Sequence, residues 1–385
     1  MSASTPVHYR IPFNRPTSTD LDARYIGEAL ASGKLAGDGA FTRRCQSHLE
    51  RMLGVPRALL TTSCTDALEM AALLADIKPG DEVIVPSFTF VSSVNAFVLR
   101  GATPVFADIR PDTLSLDERQ LPALLTPRTK AIVVVHYAGV ACDMAAVNGA
   151  AGTVGAMVIE DNAHGFCGTL RSKPLGTFGA LATLSFHDTK NITCGEGGAL
   201  LINDPALIER AEIIREKGTD RSKFLRGQVD KYGWVDLGSS FLPSELLAAM
   251  LAAQLERSDE VQRQRGHLWT RYVQALAGWA AQHDVELPAV LPDRTPSFHM
   301  FNLMVPSIAF RDGLFAHLRE QGIQAVSHYI PLHLSPMGRR FGGFDGQCPV
   351  AERVNELIVR LPFFTNMTDA EQDEVLAVLA SFSPR

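Results

Sequence analysis

The chain has 385 residues, more than one compact core ordinarily serves, so a large domain with a smaller companion is expected. Hydrophobic residues make up 46% and charged residues 20%, the balance of a soluble globular protein. The formal net charge of −6 argues against a nucleic-acid partner, whose footprint is basic. The six cysteines are scattered with no CxxC pair, which suits a reducing compartment and neither a disulfide framework nor a metal site. Met1–Arg15 holds no apolar run of signal-peptide length, and no 18-residue apolar stretch follows, so a cytoplasmic protein with no membrane partner is expected.

From about residue 58 to 203, short apolar runs alternate with helical stretches: 58–61, 82–86, 104–107, 131–136, 156–160, 181–186 and 199–203. Continuous runs of this length between helices predict seven strands of a mostly parallel sheet buried on both faces, in one large α/β domain. Ligands then belong in the crevice beyond the strands' carboxyl ends. Beyond Pro205 the spacing predicts helices over 205–217 and 244–275, a strand over 299–305, and helices near 311–321, 349–357 and 369–382. The expected division is 1–245 for the large domain with its N-terminal arm and 246–385 for a small C-terminal α+β domain. No lysine follows Lys231, so lysine chemistry falls in the first domain.

Lys190 ends Ser185-Phe-His-Asp-Thr-Lys190, directly after a predicted strand and before Gly195-Glu-Gly-Gly198. A lysine there can enter the crevice and meet a carbonyl cofactor. Imine formation needs the neutral amine, so burial or a cationic neighbour must lower its pKa from ~10.4. One strand earlier, Met157-Val-Ile-Glu-Asp161 ends an apolar run in a carboxylate. Pyridoxal phosphate is an electron sink when its ring nitrogen is protonated, and a buried carboxylate such as Asp161 would keep it so; a helix-capping aspartate is the plain alternative. His164 suits the cofactor's phenolic oxygen or a structural role. Ser63-Cys64-Thr65-Asp66 opens a strong helix former, and a helix N-terminus receives a phosphate, although Ser63 and Asp66 also read as a capping box. Ser185 offers a hydroxyl to the same anion, and Phe90 a face for a pyridine ring, if it is not core. No GxGxxG or GxxxxGK[ST] loop is present, which removes the dinucleotide and P-loop classes.

Together with Gly33–Gly39, Pro86–Phe90, His136–Gly139, Arg215–Thr219, Arg226–Tyr232 and His328–His333, these segments resemble the DegT/DnrJ/StrS family of sugar-nucleotide aminotransferases over essentially the whole chain. Within it they most resemble the transaminases that make dTDP-4-amino-4,6-dideoxygalactose. The resemblance implies a fold-type I pyridoxal-phosphate enzyme: a seven-stranded, mostly parallel sheet plus a small C-terminal domain, in a homodimer with shared active sites. It implies Lys190 as the Schiff-base lysine, Asp161 at the pyridine nitrogen, His164 near the phenolic oxygen and Phe90 stacking. Cys64, Thr65 and Ser185 would hold the phosphate. The family often reaches that phosphate with a neighbouring subunit's asparagine, where this chain has Ser240, and usually has glycine where Cys64 stands. The implied substrates are a dTDP-linked 4-keto-6-deoxy sugar and L-glutamate, with His333, Arg226, Lys231 and Tyr232 near the sugar nucleotide; a structural histidine and a solvated loop are the plain alternative. A 3-aminotransferase, a cofactor-binding sensor and a sugar lyase remain alternatives; related 3-dehydratases carry histidine at the lysine position, so Lys190 favours transamination.

Overall fold

A computed structural model describes Tyr9–Ser383. The first eight residues of the Met1–Arg15 stretch lie outside the described residues. All seven expected strands form: β1 (Arg57–Thr61), β2 (Glu82–Pro86), β3 (Thr103–Ala107), β4 (Thr129–Val135), β5 (Met157–Asp161), β6 (Leu181–Ser185) and β7 (Gly198–Ile202). They make one sheet in the order β1-β7-β6-β5-β4-β2-β3. β7 runs antiparallel to both its neighbours, and every other pairing in the sheet is parallel. Six strands therefore deliver their carboxyl ends to one edge.

The continuous apolar runs exist because both faces are covered. Leu59, Val83, Val85, Val133, Ile159 and Leu200 face one core, while Leu60, Ile84, Val134, Val158 and Leu201 face the opposite side. Alternate side chains of a strand point to opposite faces, so a strand with cover on both sides is apolar at every position. Helix Cys64–Leu74 packs on the first face beside β6 and β7. The helices Asp20–Ala31 and Ala40–Leu53 pack on the other with helix Glu245–Leu255. There the buried Glu245 carboxylate accepts from the Gly39, Phe41 and Thr42 N–H groups, satisfying a helix start that its own backbone leaves open.

The C-terminal region is built on the long helix Ser258–Gln282, an antiparallel strand pair Asn302–Met304 with Ile358–Arg360, and the helices Ile308–Glu320, Pro349–Leu357 and Asp369–Ser381. Its Tyr272, Phe301, Leu361 and Leu379 join the first face's core. The helix expected over 244–275 is two helices. The chain leaves helical geometry at Arg257 (φ −104°, ψ 9°), and the second helix then runs to Gln282. The expected strand over 299–305 shortens to three residues, and strand Ile358–Arg360, absent from the sequence expectation, is its partner. We propose a division between the two units at Glu256–Arg257, beyond the expected boundary at 245. Glu245–Leu255 still packs with the large unit, and Ser258–Gln282 is the first helix to pack on the small one. Among the described residues, no helix is long and apolar enough to cross a membrane.

Candidate active site

A cavity of about 570 Å³ opens beyond the carboxyl ends of the parallel strands. It brings together seven of the expected residues: Cys64, Thr65, Phe90, Asp161, His164, Ser185 and Lys190. Each reaches it for a local reason. Asp161 and Ser185 are the last residues of β5 and β6, and Lys190 lies in the turn that leaves β6, its N–H donating to the His187 carbonyl (2.9 Å). Cys64 and Thr65 begin the helix after β1. The first N–H groups of a helix have no partner within it and carry the positive end of its dipole, so this end is built for an anion. Ser63 caps the helix by accepting from the Asp66 N–H (3.0 Å). Half of the expected capping box is thus present; the Asp66 carboxylate accepts from the Thr62 hydroxyl instead. Gly198, at the start of β7, presses against this turn, and a Cβ there would fall on the Ser63 and Cys64 backbone.

Asp161 shares its strand end with Glu160, and the two point to opposite sides. Glu160 is buried among the Gly176, Phe178 and Gly179 N–H groups and His136, which fixes the strand end from below. Asp161 faces the cavity, where its Oδ2 accepts from the Ser93 hydroxyl (2.6 Å) and its Oδ1 from the Ala163 N–H (3.2 Å). Burial raises its pKa, and these two donors oppose the rise. Burial drives the Lys190 ammonium down to about 8; Cys64 and Asp161 oppose this, and the charge of Arg360 adds to it. A buried amine half-deprotonated at about pH 8 is a nucleophile that a solvated lysine is not.

Three histidines line one wall. The His164 ring stacks on His299 at 4.3 Å between centroids and faces His328 at 6.2 Å. Burial first, then the charge of Lys190 and the neighbouring histidines, holds His164 well below the ordinary histidine range, so its ring is neutral. Its Nδ1 is buried with no hydrogen-bond partner among the described residues. His299 Nδ1 meets Asn191 Oδ1 (3.1 Å), and His328 Nδ1 meets the Tyr137 hydroxyl (2.6 Å). Phe90 is 54% exposed at the mouth of the cavity, against Tyr329.

The expected sugar-nucleotide residues do not join this group. His333 is fully buried, between the Ser87 hydroxyl and the Glu352 carboxylate (2.9 Å), and serves packing. The same segment instead sends His328 and Tyr329 into the cavity. Arg226 pairs with Glu212 (2.7 Å), while Lys231 and Tyr232 are exposed on a loop away from the cavity wall. Ser240 is also exposed, bridging to Glu216. Sequence reasoning missed Ser93, His299, His328, Tyr329 and Arg360. Only the pair His328–Tyr329 carried a signal, as part of a segment already singled out.

Such a strand-end cavity, holding a low-pKa lysine and a buried carboxylate, defines a class of carbonyl-cofactor enzyme, and comparison with known proteins makes the class specific. Residues 16–380 match the DegT/DnrJ/EryC1/StrS aminotransferase family, and the chain belongs to it. It is 31% identical over 374 residues to the spore coat polysaccharide biosynthesis protein SpsC of Bacillus subtilis (strain 168), covering 95% of each chain. Among solved structures it is similar to S. venezuelae DesV in complex with a ketimine intermediate, with a TM-score of 0.86, 30% identity and coverage of 98% and 99% of the two chains. It is likewise similar to the PLP form of Spr1654 from Streptococcus pneumoniae, a protein classed with the sugar aminotransferases (TM-score 0.88, 26% identity, coverage of 96% and 98%).

The protein is therefore an aminotransferase, and its cofactor is pyridoxal 5'-phosphate. The cavity fits that molecule. It offers a poised amine, a buried carboxylate, an unpartnered imidazole nitrogen and a helix start for a phosphate. Because only the neutral amine attacks a carbonyl, capture of pyridoxal phosphate by the apo protein should accelerate as pH rises, with a midpoint near 8. Stopped-flow absorbance across pH 6–10 checks this; a midpoint near the ~10.4 of a free lysine would show that the amine is not buried as described.

Proposed function

We propose that the protein transfers the amino group of L-glutamate to C4 of a dTDP-linked 4-keto-6-deoxyhexose, giving the dTDP-4-amino-4,6-dideoxyhexose and 2-oxoglutarate. Lys190 is the covalent anchor for the cofactor. Bound pyridoxal phosphate supplies a ring that accepts the electrons left when a carbon beside the amine loses its proton. Asp161 would meet the pyridine nitrogen and keep a proton there. Cys64 and Thr65 N–H groups, with the Ser185 hydroxyl, would hold the phosphate; His164 would serve the phenolic oxygen, and Phe90 would stack on the ring. Once the donor's amine has taken its place, the freed Lys190 amine would take the proton from the donor's Cα as base and return it as acid to the carbon on the other side of the shared nitrogen. The keto sugar then meets the same groups in reverse order.

The observation that carries the sugar assignment is the position of His328 and Tyr329. They belong to His328–His333, one of the segments that resemble the dTDP-4-amino-4,6-dideoxygalactose transaminases, and they line the cavity with Lys190. The likeness to SpsC, a polysaccharide biosynthesis protein, points the same way. We also propose a homodimer with shared sites. The loop carrying Arg226, Lys231 and Tyr232 leaves Phe224, Leu225, Trp234 and Leu237 exposed, and a second copy would cover them while receiving these polar groups and Ser240. The six free thiols suit a cytoplasmic setting.

Two outcomes are expected. Asp161→Asn is nearly isosteric, so the cofactor-loaded variant should stay folded while its half-reaction with glutamate slows by about 100- to 1000-fold, the usual cost of losing one charge aimed at the reacting centre. Near-normal single-turnover absorbance kinetics would remove Asp161 from the chemistry. The 4-keto sugar should exceed its 3-keto isomer in kcat/KM by ~10⁴, since a site that pairs buried polar groups with substrate rejects the mispaired isomer. A preference for the 3-keto isomer at fixed glutamate would move the protein to the 3-aminotransferases.

A further inference from the structure

The Asp161 carboxylate is held by side chains that come from two strands away. β4 lies between β5 and β2 and ends in the apolar Val135, so on that side the adjacent strand offers Asp161 no side-chain donor. The donor comes instead from the segment that follows β2. There Thr89 and Phe90 lead into the short helix Ser92–Val98, and the Ser93 N–H donates to the Phe90 carbonyl (3.1 Å). This turn leaves Phe90 exposed at the mouth of the cavity and buries Ser93, whose hydroxyl reaches Asp161 Oδ2 (2.6 Å). The Thr89 and Ser93 hydroxyls in turn meet at 2.8 Å.

The chemistry of these groups fixes the direction of the chain. An ionised carboxylate only accepts, so Ser93 gives its one proton to Asp161, and Thr89 then donates to the Ser93 oxygen. The distances agree: 2.6 Å is the length of an O–H···O⁻ bond to a charged acceptor, and 2.8 Å that of a bond between neutral hydroxyls. Asp161, Ser93 and Thr89 are 5%, 0% and 2% exposed, so bulk water stands in for neither hydroxyl. Burial pushes the Asp161 pKa up, and the Ser93 hydroxyl is the foremost group opposing that rise. The Ala163 N–H on Oδ1 is the other donor, which leaves lone pairs of the carboxylate for a ligand in the cavity. A hydroxyl that itself accepts a hydrogen bond is polarised into a stronger donor, so Thr89 reinforces Ser93.

We propose that Ser93, backed by Thr89, is a positioning residue that keeps Asp161 charged and aimed, and thereby keeps a proton on the ring nitrogen of the bound cofactor. The proposal rests on the reading in which Asp161 meets that nitrogen, and not on which sugar is used. One proton is shared between the nitrogen and the carboxylate. While the carboxylate is stabilised as an anion, the proton stays on the ring, the form that accepts electrons. Without the Ser93 hydroxyl the buried charge is costlier, so the proton crosses to the carboxylate and leaves a neutral pyridine. A Ser93 that merely filled a polar gap would affect stability and leave the ring nitrogen unaltered.

Protein loaded with pyridoxal phosphate carrying a nitrogen isotope label in its ring reports that proton by NMR without turnover. In Ser93→Ala the ring-nitrogen resonance should move toward that of unprotonated pyridine. The glutamate half-reaction should slow by about 10- to 100-fold, the size of losing one hydrogen bond to a charged group. Thr89→Val removes the second hydroxyl with little change of shape and should slow it by about 2- to 10-fold, as for a bond between neutral groups. Ser93→Thr returns a hydroxyl and should restore the resonance. Cofactor absorbance shows that each variant is folded and loaded. An unmoved resonance in Ser93→Ala, or one that Ser93→Thr fails to restore, would overturn the proposal. Asp161→Asn separates it from the reading on which it rests. If Asp161→Asn moves the resonance and Ser93→Ala does not, the role of Ser93 alone falls. If neither moves it, Asp161 does not meet the ring nitrogen and both fall.

Discussion

The cavity depends on one electrostatic constraint: an amine must be kept poised to lose its proton while buried among other charges. Burial alone pushes Lys190 down, the Asp161 carboxylate pulls it back, and Arg360 pushes down again, leaving it at about 8. Bury the amine less and it stays an ammonium, unreactive toward a carbonyl. Remove the carboxylate and the lining keeps Glu196, an exposed side chain, as its carboxylate. The rest of the structure serves to hold these three groups within reach of one another while keeping them apart from solvent.

The sheet does this by geometry. Parallel strands bring Thr61, Val135, Asp161 and Ser185 to one edge, and the turns that follow carry the helix start at Cys64 and the lysine turn at Lys190. The two-sided core makes that edge rigid, because each strand is locked by apolar side chains above and below. The Glu160 carboxylate ties the end of β5 to the Gly176–Gly179 turn on one side while Asp161 faces the cavity on the other. Alternation along a single strand thus separates a structural carboxylate from one that faces the cavity. Arg360 comes from the C-terminal region, so the cavity is closed by a residue that the sheet alone could not supply.

The fold was legible because its strongest signals are local. A strand covered on both faces is apolar at every position, and all seven runs between residues 58 and 203 became strands of the one sheet. The break at Glu256–Arg257 was not legible, since helical spacing continues across it. Lys190 and Asp161 could be singled out because they lie at a strand end and in the turn beyond one, where an open sheet offers its crevice. His333 and His328 could not be ranked from sequence: they lie five residues apart in one segment, and only the fold decides which faces the cavity. Arg360 had no signal at all. It follows a helix, occupies a three-residue strand, and reaches the cavity only through pairing with Val326 and Asn302 across the C-terminal region.

The central claim is that Lys190, among eight lysines, carries the cofactor. Borohydride reduction of the yellow protein, followed by proteolysis and mass mapping, tests it most directly. The account predicts a single pyridoxyl adduct on Lys190, and none in Lys190→Ala. An adduct on another lysine, in the unaltered protein or in the variant, would contradict it.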